Sequence, residues 1–564
     1  MKLNGAQLFL QCLKELNVDT FFGYPGGSVL PIYDCLYYER ELKHILTAHE
    51  QGATHAADGY ARASGKVGVA LTTSGPGATN SVTGIATAFS DSVPIVVITG
   101  QVPTALLGRH SFQEMDIRAI TKPITKKTFL IDDVNKIAEI FEEAFFLAKE
   151  GRPGPILVDF PKDIQLTEVE YEVGTIAKLR EARLKNAEVT FDSDFDSLKQ
   201  AIQLAADAIN NCERPMIYAG GGVEKSGGEA ALLEFAEKIK SPVTTSLMGL
   251  GGFPGTHKYF TGLPGMHGTR SSNLGISKCD VLIAIGCRFS DRVTGKTSVF
   301  AEKATIIHID IDEKELGKNV GVDLPLKGDV KKVLTALIDL VNPRVENKWN
   351  EDVQKWKQDF PYKYNDGGVL TGQYVVEELY KVTKGDAIIT TEVGQNQIWT
   401  AQYYKFNDSK NFISSGGMGT MGYGLPAAVG VSFTTGGKKV INVAGDGSFM
   451  MNSHELSTVS RYRIPMLQLI FNNSTLGMVY QWQGLFHGNR YSFTEFGDEV
   501  SFEKLAAAYN IPYFKLDKKE EAEKVLKAAL EIEGPVIVEC IIPCEQNVYP
   551  IVPPGESIEN MIEE

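Results

Sequence analysis

Two oxygen-bearing side chains stand at matched places in the stretch GDGSFMMNSHELSTVSRYRIPMLQLIFNN, residues 445–473: Asp446 in a Gly-Asp-Gly turn and Asn473 in an Asn-Asn pair. Each follows an apolar run, Val440 to Ala444 and Met466 to Phe471. Such runs read as buried strands, and the segment between them reads as a helix opened by Asn452 and Glu455 at capping-box spacing. Strand, helix and strand of this length make a right-handed crossover, so the strands are expected to lie parallel. Asp446 and Asn473 then leave the sheet together at its carboxyl edge, where open α/β sheets bind ligands. A carboxylate and an amide oxygen are hard ligands suited to Mg²⁺, which keeps other positions for water and phosphate oxygens. Gly445 and Gly447 have no Cβ and let backbone approach a diphosphate. The plain alternative is a surface Asp in a glycine turn beside an unrelated loop Asn, against which the second Asn-bearing strand end counts.

The spacing resembles the diphosphate–Mg²⁺ motif of thiamine-diphosphate enzymes. That resemblance gives Glu50 a meaning it lacks alone. His44 to Ala48 reads as a strand and Gln51 to Ser64 as a helix closed by Gly65, so Glu50 sits just beyond a carboxyl strand end. By itself it is a helix N-terminal acid favoured by the dipole. In thiamine-diphosphate enzymes a glutamate on a separate domain hydrogen-bonds the aminopyrimidine ring, and a desolvated carboxyl suits that proton exchange. Glu50 lies almost four hundred positions from Asp446, so the site is expected between two domains, which the resemblance places in different subunits.

The elements around these residues alternate strand and helix throughout, which predicts three doubly wound parallel-sheet α/β domains. Thr20 to Phe22, Val67 to Thr73 and Pro94 to Thr99 complete the strands of a first section, 1–165. A second, 190–345, has strands at Pro215 to Ala219, Pro242 to Ser246, Val281 to Ile285 and Thr305 to Ile309. Its Gly220-Gly221-Gly222 follows a strand, and Asp310 and Asp329 follow others, as a ribose-contacting acid would. A third, 365–550, opens with a strand at Ala387 to Thr391, and a tail, 551–564, closes the chain. Asp163 to Asp192 and Asn342 to Gly368 read as linkers. Gly417 to Gly422 spells Gly-x-Gly-x-x-Gly ahead of the strand that ends at Asp446, a pattern a dinucleotide dehydrogenase also uses. That rival leaves Asn473 and Glu50 without a role.

Longer stretches carry a closer likeness: FFGYPGGSVLPIYD, AHEQGATHAADGYARASGKVGV, TSGPGATN, ITGQVPTALLGRHSFQEMD, GRPGPILVDFPKDIQ, GLPGMHGTR, IGCRFSDRVTGK and STLGMVYQWQGLFHGNRYS. They resemble the catalytic large subunit of acetohydroxyacid (acetolactate) synthases. The resemblance implies a carboligase that decarboxylates pyruvate and joins the two-carbon unit to pyruvate or 2-oxobutyrate, toward branched-chain amino acids. A flavin-dependent pyruvate oxidase and a degradative acetolactate synthase are the alternatives within the superfamily.

The same resemblance distributes roles. Tyr24, Pro25, Gly26, Thr73, Pro76, Asn80 and Gln113 would line the thiamine ring, with Gly27 offering an N–H near the reacting carbon. Val393, Gly394, Gln395, Gly419, Gly447, Ser448, Met478 and Val479 would hold the rest of the cofactor, and Met421 would prop its two rings into a bend. Thr475 would join Asp446 and Asn473 on Mg²⁺ through its carbonyl. FAD would rest on Arg152, Gly220, Gly221, Gly222, Met266, His267, Gly286, Arg288, Val293, Asp310 and Asp329. Phe112 and Lys162 would border the substrate entrance, Arg292 would hold a carboxylate, and Trp482 would restrict the channel. Two departures are Ser290, where an acid is usual, and Asn396, where a His is usual; the amide could still donate to phosphate. A homodimer or tetramer and a small regulatory subunit are further implications.

Seventy acidic against 56 basic residues leave −14 over 564, which counts against nucleic acid as a partner. No apolar run suffices for a bilayer span, and Leu8, Phe9, Cys12, Leu13 and Leu16 recur at helical spacing where a signal peptide would stand. Seven scattered cysteines without a Cys-x-x-Cys pair argue against a zinc site or disulfide framework and for a reducing cytoplasm. No periodic repeat is visible.

Overall fold

A computed structural model of the chain describes residues 1–365, 367–497 and 500–563, with side chains described outside 184–197. Among them, three six-stranded sheets follow one another along the chain, each parallel throughout. The first has the spatial order Lys43–Leu46, Thr20–Gly23, Gly68–Thr72, Ile95–Gln101, Ile156–Pro161, Lys127–Leu130. The third runs Phe412–Ile413, Ala387–Thr391, Lys439–Gly445, Met466–Asn472, Val536–Ile541, Tyr513–Leu516. Both read 2-1-3-4-6-5 in their own strand numbering, so the chain repeats a topology that its sequence does not announce. The middle sheet runs Phe260–Gly262, Val243–Thr245, Pro215–Ala219, Val281–Ile285, Thr305–Asp310, Leu324–Lys327. Its order is 3-2-1-4-5-6, the doubly wound order of dinucleotide-binding sheets.

In each sheet the strand order reverses beside the first strand, and that switch point places a crevice at the carboxyl edge. In the first sheet the crevice is flanked by the turns after Gly23 and Thr72. In the middle sheet it is flanked by Gly220–Gly222 and Gly286, and in the third by Glu392–Gln395 and Asp446. The topology thus aims the three sequence-marked turns outward.

The first and third sheets are joined by the helices Glu50–Ser64 and Gly424–Val431, which pack backbone to backbone. Small residues make this possible: a Cβ on Gly59 would stand 2.3 Å from the Ala427 carbonyl oxygen, and one on Gly430 1.8 Å from that of Ala56. Ala53, Ala56, Ala57 and Tyr60 share one buried cluster with Tyr423, Ala427, Ala428 and Val431. Gly65 ends the first of these helices at φ +71, a left-handed cap that glycine adopts without strain.

Both stretches read as linkers are helical. Thr175–Asn211 is a single helix whose far end buries Ile202, Ala205, Ala206 and Ile209 in the middle core. Lys348–Asp359 packs Trp349 against the middle sheet, with its indole N–H donating to the Pro215 carbonyl at 2.9 Å. The tail is ordered against the middle domain: Val552 N donates to the Met266 carbonyl, and Ile551 bridges Ile562. Lys2–Asn4 pairs antiparallel with Glu168–Glu170 and ties the chain start to the end of the first domain.

Candidate active site

Lys439–Gly445 and Met466–Asn472 pair directly, from Val440 opposite Met466 to Gly445 opposite Phe471. Asp446 therefore starts its short helix beside the turn at residues 473–475. The side chain is buried, and burial lifts its carboxyl to about 7, against the pull of backbone N–H groups of Gly447, Ser474, Thr475 and Asn473. Gly447 N donates to Asp446 Oδ1 at 2.8 Å, and Thr475 N donates to Asn473 Oδ1 at 3.2 Å. A carboxylate held in a nest of amides, with an amide oxygen and the Thr475 carbonyl on the adjoining turn, is an oxygen donor set that fits a hard divalent cation. Among the described residues no cluster of three His, Cys, Asp or Glu side chains forms a metal site.

The predicted capping box does not form. Asn452 Nδ2 donates instead to the Gly422 carbonyl at 2.6 Å, and Glu455 accepts from Ala48 and His49 in the first domain. Spacing suggested a local bond, and both side chains spend themselves on distant backbone. Glu392 has a comparable part. It is fully buried at the end of Ala387–Thr391 and accepts from Gly422 N at 2.7 Å, Leu425 N at 3.1 Å and Ser448 Oγ at 2.8 Å. It thereby ties the turn holding Gly419 and Met421 to the turn holding Asp446, and burial raises its carboxyl to about 7. Sequence reasoning gives Glu392 no role, although a carboxylate at a strand end beside Val393 and Gly394 is a usable signal. Asn396 faces inward: its Nδ2 donates to the Glu392 and Val443 carbonyls, so this amide is not free for phosphate. Gln395 Nε2 bonds Gln481 and the Gln546 carbonyl, and its oxygen lies 3.5 Å from Asn473 Nδ2.

A cavity of about 1810 Å³ opens between the middle and third domains, with Asp91 and Arg152 of the first on its wall. Arg152, Gly220, Gly221, Gly222, Met266, His267, Gly286, Arg288, Val293, Asp310 and Asp329 all line it, together with Arg292, Val393, Gly394, Gly419, Met478, Val479 and Trp482. The glycines are there because two backbones meet: a Cβ on Gly286 would stand 2.7 Å from Gly222 Cα, and Gly222 N donates to the Gly286 carbonyl. Asp329 also caps the helix Val330–Leu340 through Lys332 N. Burial raises the Asp310 carboxyl to about 6 and lowers the His267 ring to about 4. Arg152 is anchored to Glu315 at 2.8 Å and to Ser92 at 2.8 Å, and Arg288 donates to the Ser90 carbonyl. The size, the bare glycine floor and the fixed guanidinium groups fit a large anionic cofactor such as a dinucleotide.

The first-domain residues expected around the thiamine ring and the substrate entrance assemble elsewhere. Glu50 is buried and accepts from Asn80 Nδ2 at 3.0 Å. Thr73 Oγ1 lies 2.9 Å from Ser28 Oγ, and a Cβ on Gly26 would strike Thr73 at 2.4 Å. Gln113, at φ +58, runs so close to Gly75 that a Cβ there would stand 2.9 Å from its carbonyl oxygen. A Cβ on Gly27 would meet nothing within 4 Å, Tyr24 is exposed, and Phe112 is 89% exposed. Pro76 opens the helix Pro76–Asn80, and Lys162 opens Lys162–Leu166 at the end of its strand. None of these side chains lines the cavity within the same chain. The residues singled out in the sequence thus fall into two groups, one around Glu50 and one around Asp446.

Three segments match thiamine pyrophosphate enzyme families: the N-terminal TPP binding domain over residues 3–120, the central domain over 202–337, and the C-terminal TPP binding domain over 392–540. The chain is 46% identical over 573 residues to the probable acetolactate synthase large subunit of Methanocaldococcus jannaschii, covering all of this chain and 95% of that protein. It is 42% identical over 562 residues to the acetolactate synthase isozyme 2 large subunit of Escherichia coli, covering both in full. With Porphyra purpurea's acetolactate synthase large subunit it shares 44% over 572 residues, 99% of this chain and 95% of that one. Matched from end to end by these relatives and folded as three parallel-sheet domains, the chain belongs to the thiamine pyrophosphate enzymes, in the family of acetolactate synthase large subunits.

Proposed function

We propose that the protein makes 2-acetolactate from two molecules of pyruvate with loss of CO₂, and accepts 2-oxobutyrate as the second 2-oxoacid. The observation that carries this reading is the pairing of Lys439–Gly445 with Met466–Asn472, which sets Asp446 beside the 473–475 turn, while the helix Gly477–Phe486 that follows this turn brings Met478, Val479 and Trp482 into the cavity that Arg292 lines. Mg²⁺ would be held by Asp446 Oδ, Asn473 Oδ1 and the Thr475 carbonyl, with the diphosphate of thiamine diphosphate on its open positions. Gly447 and Ser448 would lie along that diphosphate, and Val393, Gly394, Gly419 and Met421 along the rings. Thiamine diphosphate supplies the nucleophilic carbon and the electron sink for decarboxylation. The chain's residues bind and orient. Glu50 exchanges a proton with the ring nitrogen through its carboxyl, Arg292 pairs with a substrate carboxylate, and Trp482 limits the space for the substrate side chain.

Because Glu50 and Asp446 belong to separate half-sites in one chain, a second copy would complete each site, and a homodimer is the smallest active unit in this reading. FAD would occupy the middle-domain crevice. The words "large subunit" in the relatives' names support a small regulatory subunit as a partner. All seven cysteines are free, which suits a reducing compartment such as the cytoplasm. The test is direct: purified protein with pyruvate, thiamine diphosphate and Mg²⁺ should form acetolactate without stoichiometric oxygen uptake. Oxygen-dependent acetyl phosphate formation would point to an oxidase and overturn the proposal.

A further inference from the structure

The segment that aims Glu50 is gripped by the third domain of the same chain. Glu455 is 0% exposed, and no lysine or arginine among the described residues pairs with it at salt-bridge distance. Ala48 N donates to both of its oxygens at 3.1 Å, and His49 N donates to Oε1 at 3.1 Å. Thr458 Oγ1 donates to Oε2 at 2.6 Å, fixing the carboxylate in its plane. Two neighbours close the grip: Leu46 N donates to the Tyr462 hydroxyl at 2.9 Å, and Arg461 donates to the Leu46 carbonyl at 3.0 Å. On the other side His49 Nδ1 accepts from Gln51 N, so the backbone on both sides of Glu50 is held. A Cβ at Gly52 would stand 2.0 Å from Glu455 Oε1, so the glycine in the first turn is what admits the carboxylate.

This burial is costly. A carboxylate kept from water loses hydration that three N–H or O–H donors only partly replace. A fold that needed only to join two helices could use an apolar side chain here, as it does along Ala53, Ala56 and Ala57. The position of the carboxylate, one and two residues before Glu50, is where orientation of that side chain is decided.

We propose that Glu455 is a positioning residue for Glu50: its carboxylate fixes the Ala48–His49 backbone and thereby the direction in which the Glu50 carboxyl meets the cofactor. The inference rests on the proton-exchange role given to Glu50 above. It places in one segment, residues 446–455, both the metal ligand of one half-site and the device that aims the acid of the other.

The test compares Glu455→Gln, Glu455→Asp, Glu50→Gln and the Glu50→Gln/Glu455→Gln double variant in the full-length protein. An amide turns one oxygen into a donor facing N–H groups, so in Glu455→Gln the backbone amides of 48–49 should exchange with deuterium about tenfold faster in the cofactor-free protein. Affinity for thiamine diphosphate with Mg²⁺ should change less than about threefold, because the diphosphate end is untouched. Exchange of the bound cofactor's C2 proton, read by quenched NMR, should slow about tenfold or more in Glu455→Gln. It should slow less in Glu455→Asp, which keeps the charge. In the double variant it should be no slower than in Glu50→Gln alone, since both act through one group. Wild-type C2 exchange in Glu455→Gln, or additive losses in the double variant, would overturn the inference while leaving Glu50 its role. Undiminished exchange in Glu50→Gln would overturn that role and this inference with it.

Discussion

Arg292 of the middle domain lies over the ring of Trp482 of the third, the guanidinium carbon 5.8 Å from the centre of the indole. Arg292 also approaches the Met266 sulfur, and Trp482 packs edge-on against Phe486 at 5.4 Å, so each side chain is steered by its own domain. A guanidinium over an indole in the cavity lining offers a planar fork that suits a bidentate carboxylate. Arg292→Lys keeps the charge and loses fork and stacking. It should raise KM for pyruvate about tenfold or more, the worth of a charge-assisted hydrogen bond, with thiamine diphosphate affinity unchanged. Steady-state kinetics at saturating cofactor decides this, and an unaltered KM would remove Arg292 from the substrate site.

The oxygen donors at the third sheet predict a separable loss. Asp446→Ala should weaken Mg²⁺-dependent binding of thiamine diphosphate by more than about 100-fold, since changes one shell further out already cost 10- to 100-fold in metal sites. FAD binding should survive, because its crevice lies at the switch point of the middle sheet. Titration calorimetry with and without Mg²⁺ reads the first, and flavin absorbance after gel filtration reads the second. Loss of both would mean that Asp446 serves the fold of the third domain rather than a metal.

Most strands were legible in the sequence as short apolar runs, whereas polar edge strands such as Lys127–Leu130 and Leu324–Lys327 were not read. Pro215–Ala219, Val281–Ile285 and Ala387–Thr391 were read to the residue. The ligand-facing turns were legible for the same reason: they are where those runs stop. What stayed hidden depends on partners far away in the chain. Glu455 and Asn452 have the spacing of a local cap, but Asn452 bonds the Gly422 turn thirty residues away in its own domain, and Glu455 bonds across to Ala48 and His49 of the first. Trp349 looked like part of a linker because charged and amide residues surround it, yet with Val353 and Trp356 it stands at helical spacing and fills the flank of the middle core. The shared topology of the first and third sheets left no trace either, because parallel pairing constrains hydropathy and not residue identity.

Glu392 predicts a pH signature of stability. Its carboxyl is raised from 4.5 to about 7 by burial. A group with a raised folded-state pKa contributes stability that is complete below about 4.5 and lost as pH climbs through about 7. Relative to Glu392→Gln, the wild type should therefore lose about 3 kcal/mol between those limits. For a domain of this size that is several degrees of unfolding midpoint. Thermal scans of both proteins without cofactor, across pH 4.5–7.5, supply the comparison. A constant difference between the two would show that the carboxyl does not change its charge over this range.

Asp91 offers a contrast with Asp446: it lines the cavity, yet its oxygens are taken up by donors of the chain itself. Its oxygens accept Arg62 at 3.0 Å, Gly416 N at 3.1 Å and Gly417 N at 2.6 Å. Arg62 in turn holds Asp58 at 2.7 Å and the Ser414 carbonyl at 3.0 Å, and Tyr423 donates to Asp58. This buried network fastens the loop that carries Gly417–Gly419 along one wall of the cavity. Asp91→Asn removes a charge that two backbone N–H groups and a guanidinium share, and an amide nitrogen then opposes one of those donors. The loop should loosen on the side that both cofactors use. FAD and thiamine diphosphate affinities should thus fall together by about tenfold, the cost of a charged hydrogen bond, whereas Asp446→Ala affects one alone. Arg62→Met would go further, leaving two buried carboxylates without their cation at a cost of about 3–5 kcal/mol, and should part the first domain from the third before it reports on binding. If Asp91→Asn weakened FAD without touching thiamine diphosphate, the loop would belong to the flavin crevice alone, and the wall between the two sites would have to be drawn on the other side of Gly417.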